Sequence, residues 1–134
     1  MTERHERGLL DTSVIIDLPA LTEDALPFIA AVATVTLAEL GAGLHTARNP
    51  VERATRLTRL QVVEASIEPL AFDTSAARHY SHLVALILGA RQNPRPRRLD
   101  LMIAATAQAH ELPLYTRNPR DFRALRTAMT VVAV

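Results

Sequence analysis

Gly8-Leu9-Leu10 reads as a short strand, and it stops at Asp11-Thr12-Ser13, residues that favour a helix start. The same alternation of a brief apolar run and a helical stretch continues to the end of the chain. A helix over Val14 to Leu18 ends at Pro19, and a second is predicted over Glu23 to Ile29, with Pro27 disturbing its course. Ala33 to Thr36, β-branched and short, reads as a buried strand, Leu37 to Leu44 as helix and Asn49-Pro50 as a break. The next helix, Val51 to Ala65, sets Arg53, Arg56 and Arg59 on one face and Leu57, Leu60 and Val63 on another. Ile67 to Phe72 follows as strand, and Asp73-Thr74-Ser75 caps a helix running to about Leu88, with Gly89 beyond it. Arg91 to Arg98 holds two prolines and four arginines in eight residues, which predicts an irregular loop. Asp100 to His110 is then helix, Leu114 to Thr116 strand, Pro119 to Leu125 a short helix and Thr130 to Val134 a last strand.

Short strands alternating with helices through short connections call for a parallel sheet covered on both faces, an α/β sandwich. The 134 residues make a single domain, 1–134, long enough to bury a sizeable core. Residues 1–7, mixed in charge, are expected to form a mobile tail.

Composition removes whole classes of chemistry. Without cysteine there is no disulfide scaffold, thiol nucleophile or cysteine zinc site. All fifteen basic residues are arginine, so Schiff bases, P-loop phosphate clamps and the lysine of phospho-acceptor aspartate folds are excluded. A net charge of +1 attracts nucleic acid only weakly, and any such contact has to come from a local patch. Five aromatics without tryptophan do not make a base-stacking platform, so RNA would be held mainly by its backbone. No apolar run approaches the roughly 20 residues that span a bilayer, and the start lacks the apolar stretch of a signal peptide. The expectation is a cytoplasmic protein with no membrane partner.

Asp11, Glu39, Asp100 and Asp121 fall at equivalent places, at or just after strand ends and at helix starts. In an open parallel sheet the carboxyl ends of the strands line one edge, where ligands bind. Carboxylates gathered there without lysine repel one another, and a hard divalent cation, Mg²⁺ or Mn²⁺, resolves the repulsion. Each acid also has a structural reading. Thr36-Leu37-Ala38-Glu39 has the pattern of a capping box, and Asn118-Pro119-Arg120-Asp121 that of a helix start. Asp73 fits a simple cap, and Asp17 either supports the site or lies in solvent.

Leu10-Asp11-Thr12-Ser13-Val14, Val35-Thr36-Leu37-Ala38-Glu39-Leu40-Gly41-Ala42-Gly43, Asp100-Leu101-Met102-Ile103-Ala104-Ala105-Thr106-Ala107 and Thr116-Arg117-Asn118-Pro119-Arg120-Asp121-Phe122 occur in this order. Together they resemble the PIN-domain ribonucleases, and within them the VapC toxins of bacterial toxin–antitoxin pairs. The resemblance implies a PIN-like three-layer sandwich and an Mg²⁺- or Mn²⁺-dependent endoribonuclease. Asp11, Glu39 and Asp100 take the places of the metal-holding acids. Some relatives have the fourth acid directly after Thr-Arg; this chain has Asn118 there, so Asp121 is assigned the fourth catalytic place and Asn118 is kept as a metal or water ligand. Thr12 or Ser13 would add a hydroxyl near the phosphate or metal. A homodimer, a VapB-like antitoxin seated in a groove near the site, and a tRNA, rRNA or mRNA substrate are further implications.

Arg95, Arg97 and Arg98, in the loop before Asp100, either grip RNA phosphates or lie in a solvated loop; Arg117 and Arg120 either touch phosphate or pair with the acids. His79 and His82 have ligand-like spacing but no third partner, and read as a helix face. Two other classes compete: a non-catalytic PIN-like binding module, and a phospho-acceptor domain of receiver or haloacid-dehalogenase type, disfavoured by the missing lysine and the lack of a second aspartate two places after Asp11.

Overall fold

A computed structural model describes residues 4–134. Its strands are β1 (Arg7–Leu10), β2 (Ile29–Ala33), β3 (Glu68–Leu70), β4 (Leu114–Thr116) and β5 (Val131–Ala133). They form one sheet in the order β3-β2-β1-β4-β5, with every neighbouring pair parallel. The helices are α1 (Thr12–Asp17), α2 (Thr34–Gly43), α3 (Pro50–Ser66), α4 (Thr74–Gly89) and α5 (Arg98–Ala109).

The period-2 alternation of a strand explains the layers. Leu9, Ala31, Ala33 and Leu114 point to one face and pack with Leu83, Ile87 and Ile103 of α4 and α5. Their neighbours Leu10, Val32, Tyr115 and Val132 point to the other, against Val14, Ile15, Leu40 and Val63 of α1 to α3. Strands buried on both faces read as unbroken apolar runs, as in α/β sheets generally. The result is the expected three-layer sandwich.

Several local expectations are corrected. The helix predicted over Glu23 to Ile29 is a single 3₁₀ turn, Glu23–Ala25, because Pro27 cannot donate within a helix and Ile29 pairs with Arg7 in the sheet. The strand predicted at Ala33 to Thr36 lies earlier, over Ile29–Ala33, and Thr34 to Thr36 form the first turn of α2. Tertiary packing overrides β-propensity here. Ala31 and Ala33 join a cluster with Ala104, Ala105 and Ala107, where small side chains let α5 approach the strand. Within the segment 91–98, Arg95–Arg97 make a 3₁₀ turn and Arg98 opens α5.

Of the expected tail, residues 1–3 lie outside the described residues, but Arg4 to Arg7 belong to the fold. Arg4 Nε donates to Leu26 O at 2.8 Å, and its guanidinium lies 3.8 Å from the centre of the Phe28 ring. The carbonyls of His5 and Glu6 accept from the amides of Phe28 and Ile29, and Arg7 opens β1.

Candidate active site

From the central strand β1 the chain builds β2 and β3 on one side, then crosses to build β4 and β5 on the other. This reversal opens a crevice at the carboxyl ends of β1 and β4, the place where such sheets bind ligands. Asp11 follows β1 directly, Asp121 lies in the 3₁₀ segment Pro119–Leu125 after β4, Glu39 comes from α2 and Asp100 from α5.

Asp11 is 4% exposed and caps α1, accepting from Val14 N at 3.1 Å and from Ser13 Oγ at 2.5 Å. The same Ser13 oxygen accepts from Arg117 N at 3.0 Å, so one hydroxyl joins the ends of β1 and β4. Glu39 is not part of a capping box. Helix α2 begins at Thr34, and the cap residue, Ala33, offers no side-chain oxygen. Freed from that duty, Glu39 Oε1 accepts from Thr12 Oγ1 at 2.7 Å, with Thr36 Oγ1 3.1 Å from the same hydroxyl.

Asp100 is half-buried and has no hydrogen bond or ion pair among the described residues. Burial first, and then the charges of Asp11, Glu39 and Asp121, push its carboxyl up to about 6, with Arg97 opposing. The structure thus brings the four predicted acids into one electrostatic neighbourhood. They do not yet enclose an ion: among the described residues no three acidic or imidazole side chains converge as a ligand set. Asp11, Glu39 and Asp121 are each engaged elsewhere, Asp121 by Arg97 at 2.6 Å. The donors are nonetheless all carboxylate oxygens with uncompensated negative charge at Asp100, a set suited to a hard divalent cation.

The predicted arginines divide. Arg95 and Arg98 wall a cleft of about 450 Å³ with Glu39, Leu99 and Asp100. Arg97 is committed to Asp121, and Arg117 to Asp17 at 3.1 Å and to Val134 O at 3.1 Å. That pairing gives Asp17 a partner while its side chain stays 45% exposed. Arg120 is exposed, with no partner among the described residues. Asn118 uses its backbone amide on Thr116 Oγ1 at 3.0 Å and makes no side-chain cap. Asp73 caps α4 through Ala76 N as a purely structural residue. His79 lies across the molecule with His5 and Glu111, away from the acids.

Sequence reasoning left Arg56 and Arg59 of α3 without a role. They line a second cleft beside Thr12 and Glu39. Their spacing was visible, but not which face of α3 meets the crevice.

Removing the Ser13 hydroxyl tests the join between β1 and β4. Ser13→Ala deprives Asp11 of a charge-assisted hydrogen bond and Arg117 N of its acceptor, which should cost about 1–2 kcal/mol in a denaturant melt. Any catalysis at the crevice should fall by roughly 10–100-fold, since small displacements of reacting groups are that expensive.

The model of the PIN domain matches residues 8–127. The chain belongs to the PIN-domain family. Ribonuclease VapC5 of Mycobacterium tuberculosis (strain ATCC 25618 / H37Rv) is 40% identical over 127 residues, covering 92% of this PIN domain and 91% of VapC5. Ribonuclease VapC4 of the same organism is 34% identical over 122 residues, covering 89% and 91% respectively. The crystal structure of VapBC-5, a member of the VapBC family of toxin–antitoxin systems from M. tuberculosis, superposes on this PIN domain with a TM-score of 0.85 at 37% identity, covering 96% of this chain and 99% of that one. No helix of the described residues is long and apolar enough to cross a membrane.

Proposed function

We propose that this PIN domain is an endoribonuclease that hydrolyses RNA phosphodiesters with Mg²⁺ or Mn²⁺ and acts as the toxin of a toxin–antitoxin pair. The observation that carries the reading is the unpartnered Asp100 carboxyl, pushed up to about 6 by burial and by the neighbouring acids at the switch-point crevice. Asp11, Glu39 and Asp100 would hold the cation, with Asp121 joining them once released from Arg97. A divalent ion held there supplies a nucleophilic water at neutral pH and neutralises charge on the phosphoryl transition state.

The chain's own groups do the positioning. Ser13 and the Val14 amide fix Asp11, and Thr12 orients Glu39 through one carboxylate oxygen, leaving the other without a hydrogen bond among the described residues and able to accept a proton. Arg95 and Arg98, at the mouth beside Asp100, place guanidinium forks where a phosphodiester would enter. The VapC names of the relatives support the choice of RNA over other phosphodiesters.

The VapBC-5 likeness supports a VapB-type antitoxin as partner. The candidate seat is an apolar groove of about 710 Å³ between α1 and α3, lined by Ile15, Leu18, Val51 and Val62. Val51 and Val62 are 76% and 55% exposed there, apolar surface suited to an amphipathic segment. Pairing of two copies as a homodimer belongs to the same reading.

The test is cleavage of total RNA by the purified, antitoxin-free chain. We expect discrete products with Mg²⁺ or Mn²⁺ and none with EDTA. Cleavage indifferent to EDTA would remove the metal from the mechanism, and a folded chain that cuts nothing with either ion would favour a non-catalytic PIN-like module.

A further inference from the structure

Two clefts meet at Glu39. One, of about 450 Å³, is the cleft of Arg95, Arg98 and Asp100. The other, of about 560 Å³, runs toward α3 and is lined by Thr12, Ile16, Glu39, Glu52, Arg56 and Arg59. Both are of a size that accepts a small-molecule-sized group. They also share a composition: a pair of arginines and one aliphatic side chain left in water, Ile16 at 45% exposure in the α3 cleft and Leu99 at 49% in the other.

The α3 cleft is built rather than incidental. Arg56 is held by Gly43 O at 2.6 Å, by Thr46 Oγ1 at 3.1 Å and by the carboxylate of Glu52. Glu52 also takes Arg48, whose hydrogen bond and charge hold the Glu52 carboxyl below the ordinary range. Its negative charge is therefore already committed to two cations. Arg59 is half-buried in the same cleft and has no hydrogen bond or ion pair among the described residues. A guanidinium at a cleft wall with no carboxylate of its own is held ready for an anion.

We propose that the α3 cleft is a second nucleotide subsite: Arg59, flanked by Arg56, takes a backbone phosphate of single-stranded RNA on the side of the acids opposite Arg95 and Arg98, while Ile16 lies against a base or sugar. The strand then crosses the crevice with phosphates gripped on both sides of the bond at Glu39 and Asp100. This rests on the ribonuclease reading and deepens it. A single strand is the form that fits, because two separate clefts meeting at one residue would require a duplex to be opened.

The experiment measures binding of a fluorescent single-stranded RNA to the full-length Asp100→Asn protein in Mg²⁺, with and without Arg59→Gln, over a series of salt concentrations. The inference predicts a 5–10-fold loss of affinity and a salt slope smaller by roughly 0.7, the value of one phosphate contact on a single strand. Ile16→Ala should weaken binding with the salt slope unchanged, and Arg59→Lys should keep most of the slope. Unaltered affinity and slope in Arg59→Gln, or a loss confined to binding of the cognate antitoxin, would overturn the subsite. Wild-type cleavage of RNA run alongside separates the two readings: if it proceeds and Arg59 is inert, only the subsite falls; if no RNA is cut, the ribonuclease reading falls with it.

Discussion

Asp100→Asn should abolish cleavage and at the same time make the metal-free protein more stable. Loss of the anionic ligand removes several kcal/mol of transition-state stabilisation, on the order of a 10³-fold fall in rate. The stability gain follows from the raised carboxyl. With a folded-state value of about 6 against an ordinary 3.8, the fold favours the protonated acid. The stabilisation from that proton is complete below the unfolded value and is lost as pH rises through about 6. At neutral pH the ionised Asp100 therefore weighs against folding. Its shift corresponds to about 3 kcal/mol, which partial exposure reduces to about 1–2 kcal/mol. Asparagine, neutral throughout, escapes this. The expected result is a melting temperature roughly 5 °C higher than wild type at pH 7.5, with the difference closing by pH 4. Mg²⁺ should then raise the wild-type midpoint far more than the variant's, since ligand binding adds stability only where the ligand is held. Equal midpoints for the two proteins at pH 7.5 in EDTA would contradict this account of Asp100.

The second large effect is expected at Gly8, far less conspicuous in the sequence. A Cβ there would stand 2.5 Å from Tyr115 Cε1, 2.8 Å from Cδ1 and 3.2 Å from Pro27 Cβ. Tyr115 is 2% exposed on the adjacent strand, and the His5 ring meets it edge-on at 6.3 Å, so the ring cannot simply swing away. Overpacking of this kind costs up to about 3 kcal/mol, offset in part by the reduced freedom of alanine in the unfolded chain. The net expectation for Gly8→Ala is a loss of about 2 kcal/mol and a midpoint lower by roughly 6–8 °C. Cleavage should fall too, because β1 carries Asp11 at its end. Tyr115→Leu in the same chain should recover part of the loss, and a double-mutant cycle with no coupling between the two positions would sink the explanation.

The contrast between these residues shows what was legible in the sequence. Asp11, Asp100 and Asp121 could be placed because each sits at a strand end or helix start, and a parallel sheet gathers those points on one edge, whereas Glu39, expected at a helix start, lies in the middle of α2. The layered architecture was legible for the same reason. The strand at Ile29–Ala33 was not, because its alanines carry little propensity and it exists through pairing with β1 and packing under α5. The anchoring of Arg4 and His5 was equally hidden, since their partners, Leu26, Phe28 and Tyr115, come from distant or non-periodic segments. Glu39 looked as much like a cap as a ligand until the helix start moved to Thr34. Arg59 required knowing which way α3 faces.

The division of the core by the sheet has a mechanical consequence. Asp11 and Glu39 are anchored in the layer of α1 and α2, whereas Asp100 rides on α5 in the layer beyond the strands. The proposed reaction centre is therefore a seam between two half-cores, and its spacing is set by how those slabs slide past one another. Whatever grips only one slab, as a segment lying in the α1–α3 groove would, can shear the seam and retune the acids without touching any of them.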